Sequence, residues 1–272
     1  MGPMEEFTRL VEIMATLRSP RGCPWDREQS IDSLKPFLLE ETYELIEAID
    51  RHDHAALCEE LGDFVFEAVF VAQLEAEAGH FTIRDALTSV ADKLVRRHPH
   101  VFAREDSEAP IAADDVRARW EEIKAQERGA GTPAASHGGT LLGGIPSTLP
   151  SLLRAHRIGT RAASVGFDWA RVPDVIEKMR EEIDELAEVV AVGAPLDQDR
   201  AEEEVGDLLF AIANLARKLG VESETALRKA NEKFTARFTR MERTIAASGR
   251  NMRDMSLEEL EQEWQRTKSG EE

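Results

Sequence analysis

The 272-residue sequence has little cysteine and no long apolar run. Cys23 and Cys58 are its two cysteines, so a disulfide framework is excluded and a reducing, cytoplasmic setting is expected. Because no run of about 18 apolar residues is present, we expect no membrane-spanning helix. The first 18 residues contain Glu5, Glu6 and Glu12 and lack the basic and apolar regions of a signal peptide.

Positive charge is also scarce: 34 basic residues face 53 acidic ones, which gives a formal net charge of -19. A protein of this charge repels nucleic acid and anionic membranes, so we expect neither as a partner. It also repels a nucleotide polyphosphate unless cations intervene. Solubility explains acids that are scattered over a surface. The question is therefore whether some of the acids form a regular arrangement and are not simply scattered over the surface.

Helical periodicity dominates the sequence and no segment has the pattern of a strand, so an all-α fold is predicted. Ser30 or Asp32 is expected to cap the second helix and Asp53 the third. Pro173 fits the first turn of its helix, where its missing N–H has no consequence. The predicted helices lie near residues 5–18, 30–51, 54–78, 82–97, 113–127, 148–164, 173–191, 197–219, 222–247 and 256–268.

A segment rich in glycine and proline interrupts the helices. Residues 128–147 contain six glycines and two prolines, a composition typical of a linker. The sequence therefore predicts a helical domain over residues 1–127 and a second over 148–272. Small helical domains of this kind leave apolar faces to cover, which favours a homodimer with pairing within or between chains.

The two sets of helices resemble each other in sequence. Four blocks recur in one order at an offset of 140–144 residues, and chance is a poor explanation for this. The blocks of the first set are EETYE at 40–44, EELGDFVF at 59–66, DKLVRR at 92–97 and WEEIK at 120–124. Those of the second set are EEIDE at 181–185, EEVGDLLF at 203–210, EKFTAR at 232–237 and WQRTK at 264–268. The sequence thus predicts two tandem copies of one helical unit.

The recurring acids of the second copy are spaced so that they can converge. Glu182 and Glu185 are three residues apart on one helix and share a face, as do Glu204 and Asp207 on the next helix. In an antiparallel hairpin, residues at one level have a constant sum of residue numbers. Pairing Glu182 with Asp207 and Glu185 with Glu204 gives the same sum twice. We therefore predict that the four carboxylates meet across the hairpin.

The first copy repeats this arrangement, with Glu41 level with Asp63 and Glu44 level with Glu60 around a turn at His52. Converging carboxylates repel one another unless cations or protons neutralise them. Oxygen ligands suit Mg²⁺ or Mn²⁺, whereas a di-iron site would need Glu-x-x-His pairs, which do not accompany these acids. Each hairpin is therefore predicted to bind metal, the alternative being a solvated helix face.

Glycine stands inside each acidic motif, at Gly62 and Gly206. A glycine in the middle of a helix costs about 1 kcal/mol relative to alanine. A close crossing of the two helices at these positions would explain them, and we predict such a crossing.

Basic pairs follow each hairpin along the chain. Lys233 and Arg237 lie one helical turn apart, and Lys93 and Arg97 are their counterparts in the first copy. Such a pair can bind phosphate oxygens, since the arginine guanidinium donates two parallel hydrogen bonds and the lysine ammonium supplies a point charge. The alternative is a solvated pair that aids solubility.

An aromatic and a basic residue also recur at the end of each copy. Trp264 and Lys268 lie one turn apart, matched by Trp120 and Lys124. A tryptophan face can stack on a nucleobase without reading its identity. The alternative is a tryptophan of the core.

The two copies differ in basic residues beside the acids. Lys178 and Arg200 lie one turn before the two acid pairs of the second copy, where the first copy has Phe37 and Ala56. A triphosphate needs such positive charge. The second copy is therefore predicted to be the better catalytic site.

Taken together, these residues resemble the MazG family of nucleoside triphosphate pyrophosphohydrolases, within the all-α pyrophosphatase superfamily. The pattern Glu-Glu-x-x-Glu followed by Glu-x-x-Asp is present twice. Nearly the whole chain takes part in the resemblance. The further segments that carry it are GCPWDREQSIDSLKPFLLEETYELIEAI at 22–49, KLVRRHPHVF at 93–102, GFDW at 166–169 and KANEKFTARF at 229–238.

The resemblance implies cleavage of a nucleoside triphosphate (ATP among them) to the monophosphate and pyrophosphate, with broad base tolerance, in a homodimer. It implies that Mg²⁺ binds the four acids of the second copy, the copy usually credited with the activity. It also implies a nucleotide pocket shaped by Lys178, Glu181, Arg200, Glu203, Lys233, Arg237 and Trp264.

The expected reaction is attack on the α-phosphorus by a water molecule, which is held by the metal or oriented by Glu181, Glu182 or Glu203. Lys233 and Arg237 are expected to stabilise the leaving pyrophosphate. Two other classes of function stay open at this point. One is a regulatory module that binds nucleotide without turnover, and the other is a purely structural helical scaffold.

Overall fold

The computed structural model describes residues 2–103, 140–191 and 196–269. The chain divides into two compact units, Met1–Lys124 and Ala125–Glu272. Every regular element in the described ranges is helical, which confirms the predicted all-α fold. Within the same ranges, no helix combines the length and the apolar character needed to cross a membrane.

The first unit is built on a long helical hairpin. Helices α3 and α4 pack against each other, and α1 packs against α4. The helices of this unit are α1 (Pro3–Arg18), α2 (Pro24–Glu28), α3 (Ile31–Arg51), α4 (His54–Glu77), α5 (Ile83–Arg97) and α6 (Pro99–Phe102).

The second unit repeats this hairpin with helices α8 and α9, and α7 packs against α9. Helix α10 packs against α11 near the end of the chain. The helices of this unit are α7 (Ser151–Ala163), α8 (Val172–Val189), α9 (Gln198–Lys218), α10 (Ser223–Ala247) and α11 (Leu257–Ser269), with a 3₁₀ turn at Met252–Asp254.

The predicted helix boundaries agree with the structure to within three residues wherever the chain is described. The largest difference is at α7, predicted to begin near residue 148, which begins at Ser151. Pro150 explains the delay, because the residue before a proline is disfavoured in helical conformation. Short helices α2 and α6 were not predicted, and the predicted helix over 113–127 lies outside the described residues.

The turn between α3 and α4 shows why the first hairpin is tight. His52 takes a left-handed conformation with φ of 55° and ends α3. Asp53 then caps α4, where its Oδ1 accepts hydrogen bonds from the backbone N–H groups of Ala55 and Ala56 at 3.0 and 3.1 Å. At the other end of α3, the Ser30 hydroxyl caps the helix. Asp53 and Ser30 thus act as predicted, and two residues suffice to reverse the chain.

Apolar side chains of three helices form the core of the first unit. Met14 of α1, Leu34 of α3 and Phe70 of α4 are at most 1% exposed. Arg18 joins α1 to α4 at the rim of this core, with its NH2 2.5 Å from Oε2 of Glu77. Burial on one side of α3 and α4 leaves the opposite side of the hairpin for the acids.

The second unit is held by a close approach of α7 to α9. Gly159 makes that approach possible, because a Cβ at this position would lie 2.2 Å from Oδ1 of Asn214. Asn214 is 1% exposed and donates to the carbonyl of Phe210 at 3.1 Å. Its Oδ1 accepts from Nε of Arg217 at 3.3 Å. Both hydrogen bonds lie within α9, and they hold the Asn214 side chain at the point where α7 approaches.

Candidate functional site

Helices α8 and α9 bring the acids of the second copy together. Carboxylate oxygens of Glu182, Glu204 and Asp207 lie within 4.8 Å of one another. Glu185 belongs to the same group: burial and the charges of Glu204 and Glu182 raise its pKa above the ordinary value. We call these four residues the C-terminal nest. The structure thus brings three of the four predicted carboxylates within 4.8 Å of one another, with Glu185 close enough for its charge to act on theirs.

Two basic side chains lie against this nest. Nζ of Lys178 is 2.7 Å from Oε1 of Glu181 and 2.8 Å from Oε1 of Glu182. These hydrogen bonds raise the pKa of Lys178, so the ammonium stays charged at every physiological pH. Arg200 lies farther out, with NH2 3.9 Å from Oε1 of Glu204. Both residues thus stand one helical turn from their acids, as the sequence indicated.

The C-terminal nest has the donor set of a site for a hard divalent cation. Glu182 is 3% exposed, and its Oε2 is buried without a hydrogen-bond partner in the described structure. A buried carboxylate oxygen without a partner is costly unless a proton or a cation reaches it. Oxygens from three acids within 4.8 Å are a ligand set that Mg²⁺ or Mn²⁺ accepts. The residues therefore fit the metal expected from the sequence.

Helices α3 and α4 also bring acids of the first copy together, but the three that lie closest are not the counterparts of those in the second copy. Carboxylate oxygens of Glu41, Glu44 and Glu60 lie within 4.8 Å of one another. Burial raises the pKa of Glu41, and so do the charges of Asp63, Glu44 and Glu60. The pKa of Glu60 is also raised, by burial and then by Glu44. We call these four residues the N-terminal nest.

A fifth acid lies beside the N-terminal nest and was missed in the sequence. Glu67 is four residues after Asp63 on α4, and burial together with the charges of Glu41 and Asp63 raises its pKa. The signal that could have found it is its spacing, because residues four apart share a helix face. It was missed because the second copy has Ala211 at the matching position.

The predicted close crossing at the two motif glycines is wrong. A Cβ built on Gly62 or Gly206 would meet no described atom within 4 Å. The reason is the helix period: Gly62 lies two residues after Glu60 and one before Asp63, so it faces away from the partner helix. The carboxylates therefore converge without a glycine contact between the helices.

The residues predicted to bind phosphate and base lie on other helices of each unit. Lys233 on α10 is exposed and Arg237 is half-buried, as are Lys93 and Arg97 on α5. Among the described charges, those that most affect the pKa of Glu185 are the neighbouring acids and Lys178. The structure therefore puts Lys178 at the nest, and a role for the four α5 and α10 residues stays a prediction.

Trp264 on α11 packs against α10, close to the predicted phosphate clamp. Its ring centroid is 5.1 Å from that of Phe234, which in turn stacks on Phe238 at 5.9 Å. Trp264 and Lys268 are half-buried, so one part of the indole remains accessible. Their predicted counterparts, Trp120 and Lys124, lie outside the described residues.

An apolar cavity of about 620 Å³ opens beyond the C-terminal nest and was not predicted. Phe210 and Asn214 line it from α9, one and two turns after Asp207. The acid in its wall, Asp168, is neutralised by Arg217 at 2.5 Å and Lys218 at 2.9 Å. Its other walls are formed by Leu141, Leu142, Ile158, Gly159, Ala162, Val165, Gly166, Phe167 and Trp169.

The chain is similar to known proteins over most of its length. The MazG nucleotide pyrophosphohydrolase domain model matches residues 29–102 and 173–241, one segment in each unit. The nucleoside triphosphate pyrophosphohydrolase of Escherichia coli K12 is 49% identical over 266 residues, which cover 97% of this chain and 98% of the relative. A Thermotoga maritima protein named nucleoside triphosphate pyrophosphohydrolase/pyrophosphatase MazG is 45% identical over 98% of this chain and 97% of its own.

A solved structure also shows similarity, that of a mazG-related protein from Thermotoga maritima. It is 34% identical to this chain, covers 43% of it and 98% of its own length, and has a TM-score of 0.38.

Proposed function

Because the chain belongs to the MazG nucleotide pyrophosphohydrolase family, we propose that it hydrolyses nucleoside triphosphates to monophosphate and pyrophosphate, with Mg²⁺, at the C-terminal nest. The observation that carries this assignment is the ion pair of Lys178 with Glu181 and Glu182, at the edge of a carboxylate cluster. Such a site combines acids for a cation with a fixed ammonium for phosphate. Both relatives named above are described as enzymes of this activity.

The four acids of the C-terminal nest would hold the metal. Oε2 of Glu182 is buried without a hydrogen-bond partner among the described residues, and one carboxylate oxygen from each of Glu182, Glu204 and Asp207 lies within 4.8 Å of the others. When bound, Mg²⁺ would neutralise negative charge on the phosphate oxygens. The carboxylates would fix its position from two helices, α8 and α9, which pack against each other.

Basic side chains would bind the triphosphate. Lys178 can exchange its bond to Glu181 for a phosphate oxygen while it keeps its bond to the buried Glu182. Arg200 lies at the outer end of the nest with half of its side chain exposed, so its guanidinium group can turn toward a ligand. Lys233 and Arg237 are assigned to the leaving pyrophosphate, as the sequence indicated.

The reaction needs a water molecule aligned with the α-phosphorus. Glu181 and Glu203 are exposed and each precedes a buried acid of the nest, so either can accept the proton of that water. Glu182 can act as the base only through Oε2, because its Oε1 is paired with Lys178. The oxygen of the water enters the monophosphate, the bond from the α-phosphorus to the bridging oxygen breaks, and pyrophosphate leaves.

Two surfaces are available for the base, and neither carries a pattern of donors and acceptors that would select one base. Trp264 offers an aromatic face, and the cavity beyond Asp207 is lined almost entirely by apolar side chains. Stacking and apolar contact tolerate all bases, because each has the same kind of face. This supports broad base specificity and a role in clearing unwanted nucleotides.

A homodimer is proposed from an apolar stripe on α9. Val205, Leu209 and Ile212 are 43%, 45% and 37% exposed. Their spacing of four and three residues puts them on one face. A stripe of this kind on the helix that carries two nest acids favours contact with a second copy of the chain. We also propose a cytoplasmic location, which the unpaired Cys23 and Cys58 support.

Product analysis tests this function. The purified chain is incubated with each nucleoside triphosphate and Mg²⁺ in water enriched in ¹⁸O, and the products are separated by anion exchange. We expect monophosphate that carries the label, together with unlabelled pyrophosphate. Diphosphate and inorganic phosphate would refute attack at the α-phosphorus. Bound nucleotide without any product would instead favour a regulatory module that binds nucleotide.

A further inference from the structure

The most buried side chain of α11 is a carboxylate. Glu263 is 6% exposed, the lowest value among the described residues of this helix. Its Oε1 lies 2.6 Å from NH2 of Arg250 and 3.0 Å from NH1 of Arg266. A buried carboxylate is costly unless charged partners compensate it, and two guanidinium groups do so here. The hydrogen bond from Arg250 lowers the pKa of Glu263, so the carboxylate is ionised at neutral pH.

Arg250 is itself held at the end of α10. This helix ends at Ala247, and the backbone N–H of Arg250 donates to the carbonyl of Ile245 at 3.3 Å. The side chain of Arg250 is held as well, since its Nε donates to the Ser248 hydroxyl at 2.9 Å. Ile245 is 1% exposed, so the backbone bond ties Arg250 to a buried part of α10. The pair of Glu263 with Arg250 therefore joins α11 to a fixed point of the neighbouring helix.

Trp264 follows Glu263 directly in the sequence, so the ion pair and the indole share one turn of α11. Consecutive residues of a helix point about 100° apart. Glu263 faces Arg250, whereas the Trp264 ring lies 5.1 Å from that of Phe234 on α10. Helix α11 thus contacts α10 both beyond its C-terminal end and at Phe234, and the direction of the indole depends on both contacts.

The neighbours of Phe234 make the direction of the indole relevant to a ligand. Phe234 follows Lys233 directly and precedes Arg237 by one helical turn, so the indole lies beside the basic pair assigned to the pyrophosphate. Phe234 and Phe238 are 56% and 40% exposed. Side chains this exposed do not enclose an indole on their own. The orientation of Trp264 must therefore come from the way in which α11 is docked.

We propose that Glu263 is a positioning residue for the nucleotide: through its ion pair with Arg250 it fixes α11 on α10 and so holds the face of Trp264 toward the base. This inference rests on the proposed function, because Trp264 is offered to the base there. It adds a residue that lies outside the nest and outside the basic pairs and does not contact the substrate. Its effect is confined to the part of the ligand that Trp264 contacts.

The test is equilibrium binding of two ligands to the full chain with Mg²⁺, measured by isothermal titration calorimetry. One ligand is α,β-methylene-ATP, which cannot be cleaved at the bond from the α-phosphorus to the bridging group. The other is inorganic tripolyphosphate, which has no base. Glu263→Ala and Trp264→Ala should each weaken binding of the analogue by about 10-fold, because each removes the same stacking contact. Neither should change the affinity for tripolyphosphate by more than about twofold.

A double variant tests whether Glu263 acts through Trp264. If it does, Glu263→Ala combined with Trp264→Ala should bind the analogue no more weakly than Trp264→Ala alone. Arg250→Met breaks the same ion pair from the side of α10 and should weaken the analogue as Glu263→Ala does.

Glu261→Ala is the matched control. Glu261 is an exposed acid of α11 that accepts a hydrogen bond from Gln265 of the same helix, and its loss should leave both affinities unchanged. Circular dichroism and thermal unfolding establish that each variant is folded. Glu263→Gln keeps the shape of the side chain and a neutral hydrogen bond, and should weaken the analogue by about threefold. It decides the matter if Glu263→Ala does not fold.

Three outcomes would overturn the proposal. Unchanged binding of the analogue in a folded Glu263→Ala chain would mean that the ion pair has no effect on the nucleotide. Equal weakening of the analogue and of tripolyphosphate would mean that the ion pair supports phosphate binding. A further loss in the double variant would mean that Glu263 acts by a route other than Trp264. Binding of the analogue without any hydrolysis of ATP would refute the proposed hydrolysis alone, so the two failures are distinguishable.

Discussion

Nζ of Lys178 lies 2.8 Å from Oε1 of Glu182, while Oε2 of the same carboxylate is buried without a hydrogen-bond partner among the described residues. One oxygen is therefore held by the protein and the other is left for a ligand. The ion pair also fixes the rotamer of Glu182, since a carboxylate held at one oxygen loses its freedom to turn. This geometry links the basic and the acidic halves of the candidate site.

Replacement of Lys178 by methionine tests that link. Lys178→Met keeps the length of the side chain and removes its charge, so nucleotide should bind a more negative site less well. We expect kcat/KM for ATP to fall by about 10- to 100-fold, equivalent to about 1.4–2.7 kcal/mol of transition-state stabilisation.

The matched control for this replacement lies on the same helix. Arg180 forms an exposed ion pair with Glu177, so Arg180→Met removes an equal charge at a distance from the nest. It should leave kcat/KM within about twofold of the wild type, because exposed ion pairs contribute little. Equal losses in the two variants would mean that Lys178 acts only through net charge.

Matched changes in the two nests test which copy is catalytic. Glu182→Gln and Asp207→Asn should each reduce the steady-state rate with Mg²⁺ and ATP by about 100-fold or more, since each removes a proposed metal ligand. Glu41→Gln and Asp63→Asn make the same changes in the first copy and should retain most of the activity. Helicity by circular dichroism should be unchanged in all four. The opposite ranking of the two pairs would assign catalysis to the first copy.

Much of this architecture could be predicted from the sequence. The helix period and an antiparallel turn are enough to predict that the acids of each hairpin converge, and three acids of each hairpin do lie within 4.8 Å of one another. Ser30 and Asp53 were recognisable as caps because their side chains compete for the first N–H groups of a helix. These features depend on residues that are close in sequence or repeated.

Other features depend on packing and were missed. Glu67 looks like an ordinary helix acid until the core beside it is known, since its burial is set by Val69 and Phe70. The cavity beyond Asp207 arises where the turn after α7 meets α9, and no local pattern encodes such a space. The prediction for the motif glycines was wrong because the cost of a glycine inside a helix suggested a close contact there. In the structure, Gly62 and Gly206 lie on the side of their helix that faces away from the partner helix.

The pH dependence of stability without metal follows from the raised pKa of Glu185. A carboxyl whose folded pKa exceeds its unfolded value of 4.5 keeps its proton longer in the folded chain. It therefore stabilises the fold most below pH 4.5, and that contribution is lost as pH rises through the folded pKa. In EDTA, Glu185→Gln should gain in Tm over the wild type as pH rises from 4.5 toward 7.

The difference between the two chains is the quantity to measure, because burial lowers the pKa of His156 and so acts in the opposite direction over part of this window. Mg²⁺ at pH 7 should shrink the gain of Glu185→Gln, since a cation compensates the wild-type nest as a proton does. A gain that is independent of both pH and Mg²⁺ would contradict the electrostatic explanation.

The proposed homodimer depends on the apolar stripe of Val205, Leu209 and Ile212. Leu209 is its central residue and is 45% exposed, so Leu209→Glu puts a charge where a second chain would pack. We expect the dimer to dissociate to monomers at micromolar concentration in sedimentation equilibrium, because burial of an unpaired carboxylate costs roughly 3 kcal/mol or more.

Leu257→Glu is the control, since Leu257 is 78% exposed at the start of α11 and lies apart from the stripe. If Leu209→Glu stays dimeric while Leu257→Glu dissociates, the interface is at the end of the chain. If the wild type itself is monomeric, the stripe on α9 does not mediate self-association, and the nest must function within one chain.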